Sequence, residues 1–268
     1  MAWTSGTATD YLDLLTRLKA FVTEQMLPAN ERWQVMRWVP GPPAELVLKG
    51  VGLAGTDEIY VAIQTETSSD YGNWKLRGYV TYNPGVAFDA QYNSSQTYYA
   101  LLTLSAMPYW FVANGRRIVV VVKTGTYYEC VHLGLFLPYA TPAQYPYPLV
   151  VGGSYNGSTR WSNAYTYRNH LPRTAGYSGA YWSPTGTWNS SPYFWPGTWG
   201  SNQREAPDGS YPLLPFVMQG LGELDGMYSV PGYGNSVENI ITANGVDHLV
   251  VQDVYRTGYY DYWALKLA

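Results

Sequence analysis

Tyr109-Trp-Phe-Val-Ala-Asn-Gly-Arg-Arg-Ile-Val-Val-Val-Val-Lys123 is the stretch on which the fold class turns. Two apolar runs, Tyr109 to Val112 and Arg116 to Lys123, flank Asn114-Gly115. An Asn-Gly pair between apolar runs is the strongest short hairpin signal, because both residues tolerate the left-handed backbone of a tight turn. Ile and Val are branched at Cβ and favour the extended chain. A third run, Tyr127 to Leu137, follows Gly125.

Upstream, Trp33 to Trp38 alternates as a half-buried strand should, and Glu45 to Lys49 and Glu58 to Gln64 flank the Gly-rich turn Gly50 to Gly55. Trp74 to Tyr82 and Tyr98 to Ser105 continue the series. Downstream, Gly226 to Val230, Ile240 to Thr242, His248 to Tyr255 and Tyr262 to Leu267 read as strands, with a second hairpin turn at Asn244-Gly245. Short strands at regular spacing predict a mainly β chain, an antiparallel β-sandwich or barrel-like body.

One amphipathic helix is legible, from Thr9 or Asp10 to Gln25. Leu14, Leu15, Leu18, Phe21 and Val22 recur at three- and four-residue spacing, Asp10 or Thr9 can cap the first turn, and Pro28 marks the stop. The chain therefore divides into an N-terminal helical segment (1–30), a first β part (31–151), a loop-rich insertion of Gly, Trp and Tyr (152–215), and a C-terminal β part (216–268) expected to pack with the first. The two β regions are compatible with one body or with two small domains, and one body with a large insertion is the preferred reading.

Composition narrows the function classes. Charged residues make up 13% of the chain, against roughly 25% in a typical soluble domain. Aromatics reach 16%, with 27 Tyr and 11 Trp, residue types that gather at protein interfaces. A surface so poor in charge suits burial in an assembly better than a free monomer. The net charge of −3 and the scattered Lys and Arg argue against a nucleic-acid partner. Cys130 stands alone, so no internal disulfide framework is expected. Met1 to Asp10 lacks the basic start of a secretory signal, and Ile118 to Val122 is too short to span a bilayer, so a soluble chain made without an export peptide is expected.

Candidate chemistry is thin. His132, His170 and His248 are isolated, none sits in a metal-ligand spacing, and His132 and His248 lie in strand-like runs that suit core or sheet-face roles. Gly-x-Ser-x-Gly and phosphate-loop motifs do not occur. Glu223 with Asp225, or Asp57 with Glu58, are the carboxylate pairs to inspect for glycoside chemistry, while Asp225-Gly226 also reads as a turn. No enzyme activity, cofactor or metal is expected. The notable cluster is aromatic: Trp182, Trp188, Tyr193, Trp195 and Trp199 in one Gly/Pro-rich stretch. Such side chains serve an interface, the packing of their own loop, or the flat faces of a glycan. A Pro-rich rail carrying Tyr139, Tyr145 and Tyr147 precedes them, cannot settle as a central strand, and is expected to form the main intersubunit surface together with the insertion up to Pro215.

Leu46-Val-Leu-Lys-Gly-Val-Gly-Leu-Ala-Gly-Thr-Asp-Glu-Ile-Tyr60 and Leu135-Phe-Leu-Pro-Tyr-Ala-Thr-Pro-Ala-Gln-Tyr-Pro-Tyr-Pro-Leu-Val-Val-Gly-Gly-Ser154 resemble segments of tailed-bacteriophage virion structural proteins. The ending His248-Leu-Val-Val-Gln-Asp-Val-Tyr-Arg-Thr257, with Tyr262-Trp-Ala-Leu-Lys-Leu267, is similar to theirs too. The resemblance implies a virion component made in the host cytoplasm, of tail or baseplate type, with neck and head-surface positions sharing the same features. It implies contacts with other virion structural proteins, homo-oligomerisation in a symmetric assembly and no membrane insertion. It transfers no catalytic residues. The alternative function is a glycan-binding receptor-recognition module that uses the loop aromatics.

Overall fold

The computed structural model describes residues 1–25, 27–68, 71–139, 149–154, 179–190, 194–195, 211–218, 220–232, 234–259 and 261–267. Strands hold 51% of them and helices 10%, so the chain is mainly β. Among the described residues the strands begin with β1 (Ala2–Ala8), β2 (Gln34–Val39), β3 (Glu45–Gly50), β4 (Ile59–Thr67), β5 (Gly72–Tyr79) and β6 (Tyr98–Ala100). Next come β7 (Met107–Ala113), β8 (Arg117–Thr124), β9 (Tyr127–Leu135), β10 (Leu137–Pro138), β11 (Leu149–Gly152), β12 (Gly179–Trp182) and β13 (Trp188–Ser190). β14 (Phe194–Trp195), β15 (Leu214–Met218), β16 (Gly222–Ser229), β17 (Ile240–Ala243), β18 (Val246–Gln252) and β19 (Tyr262–Lys266) follow.

These strands form three open antiparallel sheets. The central one runs β1-β7-β8-β9-β11-β12-β13, the second β2-β3-β4-β5-β6, and the third β14-β15-β16-β19-β18-β17 with β10 added beside β16. None closes into a barrel, so the layered alternative of the two expected architectures is the one observed.

The layering follows from β8. Ile118, Val120 and Val122 join a core shared with Leu46, Leu48, Val61, Ile63, Trp74 and Leu76 of the second sheet. Val119 and Val121 point the other way, into a core with Met227, Leu249, Val251, Trp263 and Leu265 of the third. A strand buried on both faces needs no polar alternation, which is why this run is continuously apolar. The helix α1 (Tyr11–Ala20) lies on the second-sheet side and runs on into a π-helical turn, Phe21–Gln25. Asp10 caps it, Oδ1 accepting from the amides of Leu12 at 2.8 Å and Asp13 at 2.9 Å.

The two Asn-Gly turns differ. Asn244 and Gly245 take φ of 52° and 74°, as a two-residue hairpin turn requires. Asn114 instead stays outside the left-handed region, and its Oδ1 accepts from the amides of Arg116 and Arg117. Gly115 is required by a close approach, since a Cβ there would lie 2.0 Å from the Gly52 carbonyl oxygen. Asp225-Gly226, read as a turn, lies inside β16, with Gly226 at φ 68°. Strand β1 was not legible because five of its seven residues are exposed or half-exposed at a sheet edge.

Because both outer layers share the central sheet, damage on either side should propagate. Phe111→Ala, on the second-sheet side, and Phe136→Ala, on the third-sheet side, are each expected to cost about 3–5 kcal/mol. Urea unfolding followed by tryptophan fluorescence and by circular dichroism checks this, with coincident midpoints expected for each variant.

Candidate functional site

The structure puts the described aromatics of the predicted cluster against the chain's own core. Trp182, 7% exposed, packs with the second-sheet side of the central sheet. Trp188 meets it edge to face at 5.6 Å between ring centroids and donates from Nε1 to the Asn93 carbonyl at 2.8 Å. Trp195 belongs to β14, which pairs with β15, while its side chain lies outside the described residues. Tyr193, Trp199, Tyr145 and Tyr147 also fall outside them. Tyr139 is 59% exposed just past β10, its amide donating to the Leu221 carbonyl.

Sequence reasoning missed a buried polar joint between the central and third sheets. Arg117 is fully buried on β8, and its Nε donates to Asp225 Oδ2 of β16 at 3.2 Å. Asn114 Nδ2 donates to the same oxygen at 2.9 Å, and Arg117 Nη2 lies 3.1 Å from Met1 Sδ. Two glycines make room: a Cβ on Gly226 would meet Arg117 Nη2 at 2.5 Å, and one on Gly134 would meet Arg117 Cα at 2.6 Å. Burial alone would raise the Asp225 carboxyl, but Arg117 and Asn114 hold it below the usual carboxylate range. The partners are more than a hundred positions apart in sequence, so no local pattern announces them. Of its members sequence reasoning singles out only Asp225 for chemistry, as a carboxylate to inspect beside Glu223 and not as a partner for Arg117.

A second tie lies farther along the same seam. Glu238, at φ 69°, accepts from Lys123 Nζ at 2.6 Å and makes a short hydrogen bond with the Tyr128 hydroxyl. Burial, then the Glu238 bond, pushes the Tyr128 phenol up to about 12. Both ties join the central sheet to the third and so position the latter's outer edge.

Three sheet edges carry exposed apolar side chains: Trp3 on β1, Val35, Met36 and Val39 on β2, and Ile240, 52% exposed, on β17. Edge strands of monomers are normally guarded by charge, proline or a bulge. β2 has such guards, a register shift between Val35 and Arg37 and Pro40 just after it. β1 and β17 hold no charged residue and no proline, and their pairing is regular. Among the described residues nothing pairs with their outer sides.

The remaining candidate groups are tied into the fold. Glu58 pairs with Lys49, and Asp57 lies against Gly52. His132 and His248 are buried on β9 and β18, and His170 lies outside the described residues. Among the described residues no three His, Cys, Asp or Glu gather to hold a metal ion, and no helix is long and apolar enough to cross a membrane. No known protein-family model matches the chain, and no curated protein matches its sequence.

Asp225→Asn tests the joint. Breaking a buried ion pair from one side costs about 3–5 kcal/mol, and a loss of about 3 is expected because Asp225 keeps some contact with solvent. Chemical denaturation measures it. A loss below about 1 kcal/mol would mean that Arg117 is satisfied without its carboxylate.

Proposed function

We propose that this chain is a structural subunit of a bacteriophage virion, of tail or baseplate type, acting through contacts with neighbouring subunits that include further copies of itself. The observation that carries this reading is the pair of unguarded edges, β1 and β17. An uncharged strand edge offers a row of free backbone donors and acceptors, and on a free monomer it invites uncontrolled pairing. In an assembly the same edge is covered. The scarcity of charge across the chain and the resemblance of three segments to tailed-phage virion proteins support the same reading. Trp182 and Trp188 are engaged in their own fold, which takes them away from a glycan face and equally from a subunit contact, so the edges and not these aromatics carry the reading.

Trp3→Lys and Ile240→Lys place a charge on each edge without touching the cores. Exposed substitutions of this kind are expected to change stability by no more than about 0.5 kcal/mol. Particles produced with each variant are then purified and their proteins quantified by mass spectrometry. The parent chain is expected in the particles, with both variants folded but depleted from them. Absence of the parent chain from particles, or undiminished incorporation of both variants, contradicts the assignment.

A further inference from the structure

We propose that the seam between the central sheet and the third sheet opens on acidification, with His132 as the group whose protonation opens it. His132 lies on β9 directly opposite Val119 of β8, so its side chain is on the seam face, diagonal to Arg117. It is fully buried, and among the described residues neither ring nitrogen has a hydrogen-bond partner; the nearby Val150 backbone does not meet bonding geometry. Arg117 Nη1, on the same face, is likewise without a partner. A proton on His132 would put a second cation beside a buried guanidinium that has one carboxylate, Asp225, to share. Neither cation can reach water while the seam is closed, and separation of the sheets hydrates both.

The other groups around the seam do not supply a rescuing charge. Tyr228 and Lys266 act on Asp225 from the far face of the third sheet, in register with Ala264 and His248, Glu223 lies toward Tyr139 and Tyr228, and the seam residues of β18, Leu249 and Val251, are apolar. Glu238 is held by Lys123 and Tyr128, and Asp253 lies toward Cys130. His248 is on the opposite face of the third sheet, against Tyr228.

Burial, then Arg117, holds the His132 imidazole down to about 3 from an ordinary 6.5. The sign follows: closed seam and neutral His132 are matched above pH 6.5, and as pH falls toward 3 the open form binds a proton that the closed form does not. The opening equilibrium therefore rises about tenfold per pH unit in that window. Asp225 and Glu238, both held below their ordinary 3.8 and 4.5, begin to add their own losses as the pH falls through those values, in the acid half of the same window and below the pH 5 comparison.

Cys130, the one cysteine of the chain, reports the opening, because it is buried on the same seam face. Its labelling by a disulfide reagent active in acid, divided by the rate for a free thiol, is compared at about pH 7.5 and about pH 5. Hydrogen exchange of β3, β4 and β5 is followed in parallel. Expected is a rise of about thirtyfold in relative labelling, with those amides better protected than Cys130 at both pH values. His132→Leu, or His132→Gln if the first does not fold, should flatten the rise, while His248→Gln should leave it. An unchanged rise in the His132 variants, no rise in the parent chain, or exchange in β3–β5 as frequent as Cys130 labelling would overturn the proposal.

Discussion

The burial of Ile118 to Val122 on both faces of one strand is the constraint from which the rest of the structure follows. Five consecutive β-branched side chains cannot be covered by a single partner layer. The second sheet and α1 take Ile118, Val120 and Val122, and the third sheet takes Val119 and Val121. The chain crosses between layers where it must: Phe136 sits in the seam, and the next residues, Leu137 and Pro138, already pair with β16. Polar groups on a doubly covered sheet need partners from the covering layers, and Arg117 finds Asp225 in that way. Where such a partner is missing, as at His132, the seam carries a weakness with a defined chemical trigger.

Most strands were legible because their residues speak locally. The β7-β8 hairpin shows in β-branched runs around Asn114-Gly115, although the turn works through the Asn114 side chain rather than a left-handed backbone. The helix start was legible because Asp10 needs only the amides two and three residues ahead. What failed to show had no local signal. β1 lies at an edge and alternates poorly, and the sense of Asp225-Gly226 depends on a guanidinium from another sheet. For the aromatic insertion, composition left interface, self-packing and glycan uses open, and Trp182 takes the second of them by filling the chain's own core.

On the proposed reading, stability and assembly are divided between different parts of the surface and interior. The two inner faces of the sandwich hold the layers together through apolar packing and two ion-paired ties, Arg117 with Asp225 and Lys123 with Glu238. The outer edges β1 and β17 contribute little to either core and remain without charge, proline or bulge. An edge of that kind makes sense when a neighbour completes it.

A reconstruction of the intact particle at a resolution that traces strands tests this most directly. Expected are copies of the three-layer body whose β1 or β17 edge is continued by a strand of a neighbouring subunit. Density for the chain with both edges facing solvent, or particles without the chain at all, would contradict it.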